Sequence, residues 1–138
     1  MPRAVLIVMD SVGIGGAIDS HRYFNGVTSD KGANTLLNIA KACDSGIANE
    51  GRIGPLSVPT LQSLGLGNSI SLSTGQMAPN IPLVEIGAAF AVAGSVSMGK
   101  DTITGHWELA GVPLERDWYY FLDVEHSFDT ELVNLVCE

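Results

Sequence analysis

Positive charge is scarce in this 138-residue sequence, which has 7 Lys and Arg residues against 15 Asp and Glu and a net charge of −8 at pH 7. The shortage argues against a nucleic-acid-binding protein, because such proteins present a basic face to the phosphate backbone. It also poses a difficulty for a phosphorylated substrate, since an acidic protein repels anions. If the substrate is a phosphate, metal ions are the better source of local positive charge.

Cysteines and long apolar runs are also scarce. The spacing of Cys43 and Cys137 matches neither a metal-binding pattern nor a disulfide framework. No apolar run approaches the length of a membrane span, and the run near the N-terminus is too short for the core of a signal peptide. The sequence therefore predicts a cytoplasmic protein with no membrane partner.

Apolar runs and helical patterns alternate along the chain. Residues 4–9 form a continuous apolar run, typical of a strand buried on both faces of a parallel sheet, and residues 84–93 form a weaker second run. Helical spacing over residues 34–43 predicts a helix capped by Asn34 or Thr35. We also predict short helices at 59–65 and 130–136, and loops at 44–58 and 65–82. The pattern indicates an α/β fold, and because two or three strands do not complete such a sheet, we expect the chain to be part of a larger protein.

Asp10 follows the first apolar run at the position where the carboxyl ends of parallel strands form a ligand crevice. A carboxylate there can hold a divalent cation, or it can simply cap the turn that follows. That turn contains Gly13, Gly15 and Gly16, but Ile18 stands where a dinucleotide fingerprint has its third glycine, and no P-loop Lys follows. We expect these glycines to let the backbone pass close to Asp10.

Residues 99–107, Gly-Lys-Asp-Thr-Ile-Thr-Gly-His-Trp, read as a loop that leads into a helix N-terminus. A hydroxyl in this position suits a phosphoryl oxygen, whereas the simplest alternative is an N-cap formed by Thr102 or Thr104. His106 and Trp107 then read as a partly buried histidine and a core aromatic residue.

Several segments, in their order and spacing, resemble the phosphopentomutases of the alkaline-phosphatase superfamily. The most specific are residues 99–102, Gly-Lys-Asp-Thr, with residues 104–108, Thr-Gly-His-Trp-Glu, and their extension through Pro113. Residues 9–15 resemble the opening of the same enzymes. The other matching segments are 32–36, 39–43, 51–56, 59–61 and 64–67, and the resemblance fades after residue 118, where residues 127–128 and 131–132 still match.

This resemblance implies an alkaline-phosphatase-like α/β/α core with a mostly parallel sheet and an inserted cap. Residues 1–115 would be the N-terminal part of the metal-binding core, and residues 116–138 would begin the cap. The implied activity interconverts ribose 1-phosphate, or 2-deoxyribose 1-phosphate, with the 5-phosphate. A sugar bisphosphate would prime the enzyme.

The resemblance also implies site residues. Asp10 corresponds to the carboxylate that binds one of two Mn²⁺ ions, and Thr102 to the threonine that carries the phosphoryl group and contacts metal. Lys100 and Asp101 match the same motif, and we assign them to support of the Thr102 loop. The three histidines, at positions 21, 106 and 126, do not match the family's metal-binding histidines.

The family's remaining metal ligands and most of its sugar contacts lie in parts of the longer enzymes that this sequence does not contain. Asp10 and Thr102 alone are too few for a two-metal site, so we expect the isolated chain to be inactive. One alternative is another metal-dependent phosphatase or phosphomutase of the same superfamily, where the nucleophile is usually a serine in a different motif. The other is a non-catalytic fragment.

Overall fold

The computed structural model describes residues 2–85, 89–119, 121 and 127–137. The chain divides into two compact units, Met1–Gly94 and Ser95–Glu138. No helix within the described ranges is long and apolar enough to cross a membrane. The elements in chain order are a 3₁₀ turn (Ser20–Arg22), β1 (Phe24–Asn25), β2 (Thr28–Ser29), α1 (Thr35–Asp44), α2 (Pro59–Ser63), α3 (Leu66–Thr74), α4 (Thr102–Leu109) and α5 (Thr130–Cys137).

The first unit is organised around α1, which the sequence predicts. Asn34 is its N-cap, and its side-chain oxygen accepts a hydrogen bond of 3.2 Å from the backbone N–H of Leu37. That bond satisfies one of the donors left open at the start of a helix. The apolar face of α1 contributes half of the core, whose buried members are Leu36, Leu37, Ala40, Ile70, Ala78 and Ile81.

The second helix of this core, α3, lies where the sequence predicts a loop, so that prediction is wrong. Gly65, with a φ of 92°, turns the chain directly from α2 into α3, and Gly75, with a φ of 68°, ends α3. Both values lie in the left-handed region that glycine tolerates best. Burial of Ile70, which is fully enclosed, holds a helix whose Ser- and Gly-rich sequence has little helical preference of its own.

The mixed helix-and-strand composition that we predict is confirmed, but the strands differ from those predicted. Within the described residues the only paired strands are β1 and β2, which form a two-residue antiparallel hairpin. Residues 4–9 form no strand, and the side chains from Val5 to Met9 are 49–83% exposed, so the prediction of a buried strand there is wrong for this structure. A strand buried on both faces needs neighbours on both edges, and no described residue pairs with this run.

The second predicted strand, 84–93, is likewise not formed in its described parts, and its residues 86–88 lie outside the described residues. The second unit contains α4 and α5, both close to their predicted positions. Its described residues include two buried polar side chains, Ser97 and Thr104. Among the residues that the structure describes here, polar contacts are therefore more prominent than apolar packing.

Candidate functional site

Thr102 is the first residue of α4, and its side chain is exposed. The residue before it, Asp101, is the N-cap, and one carboxylate oxygen accepts a 2.9 Å hydrogen bond from the backbone N–H of Thr104. The prediction that Thr102 or Thr104 caps the helix is therefore wrong. Because the Asp101 carboxylate takes this role, capping does not occupy the Thr102 hydroxyl.

Thr104 is the buried centre of a small hydrogen-bond network and is 2% exposed. Its hydroxyl donates to the second carboxylate oxygen of Asp101 at 2.5 Å and accepts from the indole Nε1–H of Trp118 at 2.9 Å. Asp101 thus receives both the hydroxyl and the backbone N–H of the same residue. These bonds, the Thr104 hydroxyl bond first, hold the pKa of the Asp101 carboxyl below its usual range because they stabilise the ionised form.

Glu108, near the end of α4, anchors the loop that precedes the helix. Its two carboxylate oxygens accept from the backbone N–H of Val96 at 2.8 Å and from that of Ser97 at 3.0 Å. The Ser95 hydroxyl donates to the same side chain at 3.2 Å. Hydrogen bonding, led by the Ser97 side chain and followed by the Val96 amide, lowers the pKa of Glu108 to about 2. The loop and the helix are therefore joined through one ionised carboxylate.

The lowered pKa of Glu108 predicts that the second unit loses stability in acid. Stability from this group is fully present above the unfolded pKa of 4.5 and is lost as pH falls through the folded pKa of about 2. Trp107 and Trp118, the two tryptophans of the chain, both lie in this unit, so tryptophan fluorescence follows its unfolding in urea. We expect the urea midpoint to fall across this pH window.

Substitution separates Glu108 from the other carboxylates that titrate there. Glu108→Gln should lower the midpoint at neutral pH and flatten its decline in acid, because the amide cannot bind as an anion. Glu50→Gln, at an exposed position in the first unit, serves as the control and should leave the curve unchanged. An equally steep decline in Glu108→Gln and the unmodified chain would show that this carboxylate does not join loop and helix.

Asp10 lies in the first unit, in a turn, with its side chain exposed. The backbone N–H of Ser11 donates to one of its carboxylate oxygens at 2.9 Å, and Ser11 itself has a left-handed φ of 59°. A residue other than glycine rarely adopts this conformation, which costs about 1–2 kcal/mol. The backbone is thus tightly bent beside the predicted metal ligand.

The glycine turn after Asp10 is fixed by the two core helices. The carbonyl of Gly13 accepts from the backbone N–H of Leu36 in α1 at 3.1 Å, and the carbonyl of Ile14 accepts from the Ser73 hydroxyl of α3 at 2.5 Å. Gly15 has a φ of 118°, and a Cβ on it would lie 2.9 Å from the Ser73 hydroxyl oxygen. Glycine is required here for a close approach between this turn and α3.

The oxygen donors of Asp10 and Thr102 are of the hard type that Mn²⁺ takes. Among the residues that the structure describes, no three or more His, Cys, Asp or Glu side chains are grouped so as to hold a metal ion. The described side chains thus offer oxygen donors of a suitable type but form no grouped metal site among themselves. Lys100 and Asp101 precede Thr102 within the second unit, with Lys100 exposed and Asp101 half-buried.

The two histidines that the structure describes, His21 and His106, are both exposed. His106 is exposed, and its Nδ1 lies 2.7 Å from the carbonyl oxygen of Thr102, one helical turn earlier. His21 is exposed in the 3₁₀ turn, and His126 lies outside the described residues. The interpretation of His106 as partly buried and Trp107 as a core residue is wrong, since Trp107 is 48% exposed.

Sequence reasoning missed the roles of Thr104, Glu108 and Trp118, although the first two lie in the most specific matching segment. One signal was available for Asp101, because Asp is among the best N-caps and a helix follows it directly. The Trp118 bond joins residues 14 positions apart, and no local pattern indicates it.

Comparison with known proteins supports the resemblance. No protein-family model matches the chain. Phosphopentomutases from Erwinia tasmaniensis, Hahella chejuensis and Shewanella denitrificans are each 47% identical to it, over 139, 138 and 137 residues respectively. These matches cover 99–100% of this chain but 32–33% of the relatives.

The chain thus spans about a third of the length of the curated relatives that it matches. Identity at this level over the whole chain confirms the resemblance seen in the motifs around Asp10 and Thr102. By sequence, the chain is a relative of the phosphopentomutases, corresponding to about a third of their length.

Proposed function

We propose that this chain provides the phosphoryl-accepting part of a phosphopentomutase, with Thr102 as the residue that carries the phosphoryl group. The observation that carries the proposal is the placement of Thr102. Its side chain is exposed at the first position of α4, and the N-cap of that helix is Asp101, so the Thr102 hydroxyl is not used for capping. The start of a helix is its electropositive end and favours a phosphate group. The 47% identity to phosphopentomutases over the whole chain favours this reaction.

Thr102 acts in two transfers. Phospho-Thr102 gives its phosphoryl group to the free hydroxyl of a ribose monophosphate, which forms a bisphosphate, and the Thr102 oxygen regains a proton from that hydroxyl. The Thr102 oxygen then takes the other phosphoryl group of the bisphosphate, and its proton passes to the departing sugar oxygen. The net result moves the phosphate between the C1 and C5 positions of ribose or 2-deoxyribose.

Asp10 and Thr102 would hold part of a two-manganese site, with the remaining ligands outside this sequence. When bound, manganese supplies positive charge and Lewis acidity, which offset the net charge of −8 that would otherwise repel a sugar phosphate. Lys100 adds one cationic side chain two residues before Thr102, and Asp101 fixes the backbone on either side of the reactive residue through its bonds to Thr104.

The same proposal includes the fold and location. The chain would be the N-terminal part of an alkaline-phosphatase-like α/β/α core, with residues 1–115 in the core and 116–138 at the start of a cap. In that setting the exposed apolar run at residues 4–9 becomes a central strand, because neighbouring strands would pair with its edges and helices would cover its two faces. We place the protein in the cytoplasm, with sugar phosphates as its substrates and a sugar bisphosphate as its activator.

A hybrid enzyme tests the proposed function. In it, this chain replaces the matching third of the Erwinia tasmaniensis phosphopentomutase. We expect the hybrid to convert ribose 1-phosphate to ribose 5-phosphate when Mn²⁺ and ribose bisphosphate are present, and the isolated chain to show no conversion. The isolated chain lacks enough ligands for the metal site, whereas the hybrid regains them from the relative.

The folded state of the hybrid has to be checked by its circular dichroism and its size in solution. A folded hybrid with no activity would contradict the proposed function and favour a non-catalytic fragment. Activity in the isolated chain would contradict the proposal that the remaining metal ligands lie outside this sequence.

A further inference from the structure

We infer that Asp101, Thr104 and Trp118 form a hydrogen-bonded triad that positions Thr102 for phosphoryl transfer. The inference rests on the proposed function and extends it to residues that do not touch the substrate. Thr104 and Trp118 would be positioning residues, since both act through the backbone that carries Thr102. We use the name "positioning triad" for these three side chains.

Two members of the triad, Asp101 and Thr104, are hydrogen-bonded to each other across Thr102. Both oxygens of the Asp101 carboxylate are bound by Thr104, one by its backbone N–H at 2.9 Å and the other by its hydroxyl at 2.5 Å. Since Thr102 lies between these two residues, its backbone is held on both sides. A carboxylate that accepts two bonds from one residue has little freedom to rotate, because charge-assisted bonds are short and directional.

Trp118 completes the arrangement from a distant part of the second unit. Its Nε1–H donates to the Thr104 hydroxyl at 2.9 Å, so that this hydroxyl both donates and accepts. The hydroxyl is almost fully enclosed, with Thr104 2% exposed, so its removal would leave an Asp101 oxygen and the indole N–H without this partner. Trp118 thus links the segment that we expect to begin the cap to the loop of the reactive residue.

Gly99 shows how closely this triad is packed. A Cβ built on Gly99 would lie 2.6 Å from the Thr104 hydroxyl oxygen, 3.2 Å from an Asp101 carboxylate oxygen and 3.2 Å from Cδ1 of Trp118. Atoms of all three triad side chains therefore lie within 3.2 Å of the position that a Cβ on Gly99 would occupy. A purely capping role for Asp101 would not require the Trp118 ring or the absence of a Cβ at position 99.

Kinetics of the hybrid enzyme test the inference. Thr104→Val keeps the shape of the side chain and removes its hydroxyl, and we expect it to lower kcat by about tenfold to a hundredfold, as small misplacements of reacting groups do. KM should stay within about a factor of two, because the triad does not contact the sugar. Thr104→Ser restores the hydroxyl and should restore most of kcat.

Trp118→Phe should also lower kcat, by about tenfold, since it removes the N–H but keeps the aromatic ring. Trp107→Phe is the matched control, because Trp107 is a half-exposed tryptophan of the same unit outside the triad, and it should leave kcat unchanged. Assays well below the unfolding temperature separate positioning from stability. An unchanged kcat in folded Thr104→Val and Trp118→Phe hybrids would overturn the inference.

A second measurement, on the chain itself, is independent of mutase activity. Thr104→Val should speed the hydrogen exchange of the backbone amides of residues 104 and 105 about tenfold or more, since these amides bond to the carboxylate and the carbonyl of Asp101 and are protected only while the local structure is closed. Trp107→Phe should leave them unchanged. Equal exchange in Thr104→Val and the unmodified chain would overturn the triad. An inactive unmodified hybrid would contradict only the mutase function, and amide exchange would then decide whether the triad holds Thr102.

Discussion

Thr102→Ala in the hybrid enzyme is expected to lower the rate of ribose 1-phosphate conversion by about a thousandfold or more, the scale seen when a nucleophile is removed. The physical reason is that no phosphoryl group can then be stored on the enzyme between the two transfers. The loss should appear in kcat, measured with saturating substrate and bisphosphate. The variant should fold normally, because the Thr102 side chain is exposed and the N-cap is Asp101.

The chain offers a closely matched control for this change. Thr35 is also an exposed threonine at the first position of a helix, α1, directly after a side chain that caps it, Asn34. Thr35→Ala changes the same residue type in the same helical position, so it should leave kcat unchanged. A Thr102→Ala hybrid that retains the activity of the Thr35→Ala hybrid would remove Thr102 from the reaction.

The second large effect is expected in the first unit, where Gly67→Ala should weaken the packing of α3. A Cβ at this position would lie 2.3 Å from the carbonyl oxygen of Pro82 and 2.9 Å from that of Ile81. Backbone atoms cannot yield as a flexible side chain can, so α3 or residues 81–82 must shift. We expect a loss of about 1–3 kcal/mol in local stability, the usual cost of overpacking a core.

The shift should also disturb Asn68, whose side chain accepts from the backbone N–H of Val84 and donates to its carbonyl, both at 3.1 Å. Hydrogen exchange of the α3 amides, followed by mass spectrometry, reports the stability of this region directly. Gly105→Ala, in α4, is the control, since a Cβ there meets nothing within 4 Å and alanine should stabilise that helix by up to about 1 kcal/mol. Unchanged or slower exchange in Gly67→Ala would contradict the close approach.

Local signals in the sequence predict most of the helices. The bounds of α1 follow from apolar spacing and an Asn N-cap, and α2 follows from Pro59 at its first position. These signals act within one or two turns, so the sequence displays them directly. The helix α3 has no such signal, because burial of Ile70 against α1 and residues 78–81 stabilises it, and that contact is made only in the folded chain.

The strand prediction depends on information that a local pattern does not contain. The apolar run at residues 4–9 has the composition of a buried strand, but a strand exists only when another strand pairs with it. None of the described residues provides that partner, and the run is exposed. The relatives are about three times as long as this chain, and we propose that the partner strands lie in their additional length.

For the candidate site, too, the sequence predicts only part of what the structure shows. Thr102 and Asp10 were found by resemblance, whereas composition and spacing left each with an ordinary capping interpretation. The structure gives the capping role at α4 to Asp101 and shows the bond between Thr104 and Trp118, which joins residues far apart in the sequence. Contacts between residues that are distant in the sequence are thus the part that sequence reasoning misses.

The location of the phosphoryl group on the hybrid enzyme tests the central claim most directly. After incubation with ribose bisphosphate labelled in its phosphoryl groups and removal of free sugar, peptide mass mapping should find one labelled phosphoryl group, on Thr102. The label should pass to the sugar phosphate when unlabelled ribose monophosphate is added. A phosphoryl group on another residue, or an active hybrid that is never phosphorylated, would contradict the assignment of Thr102.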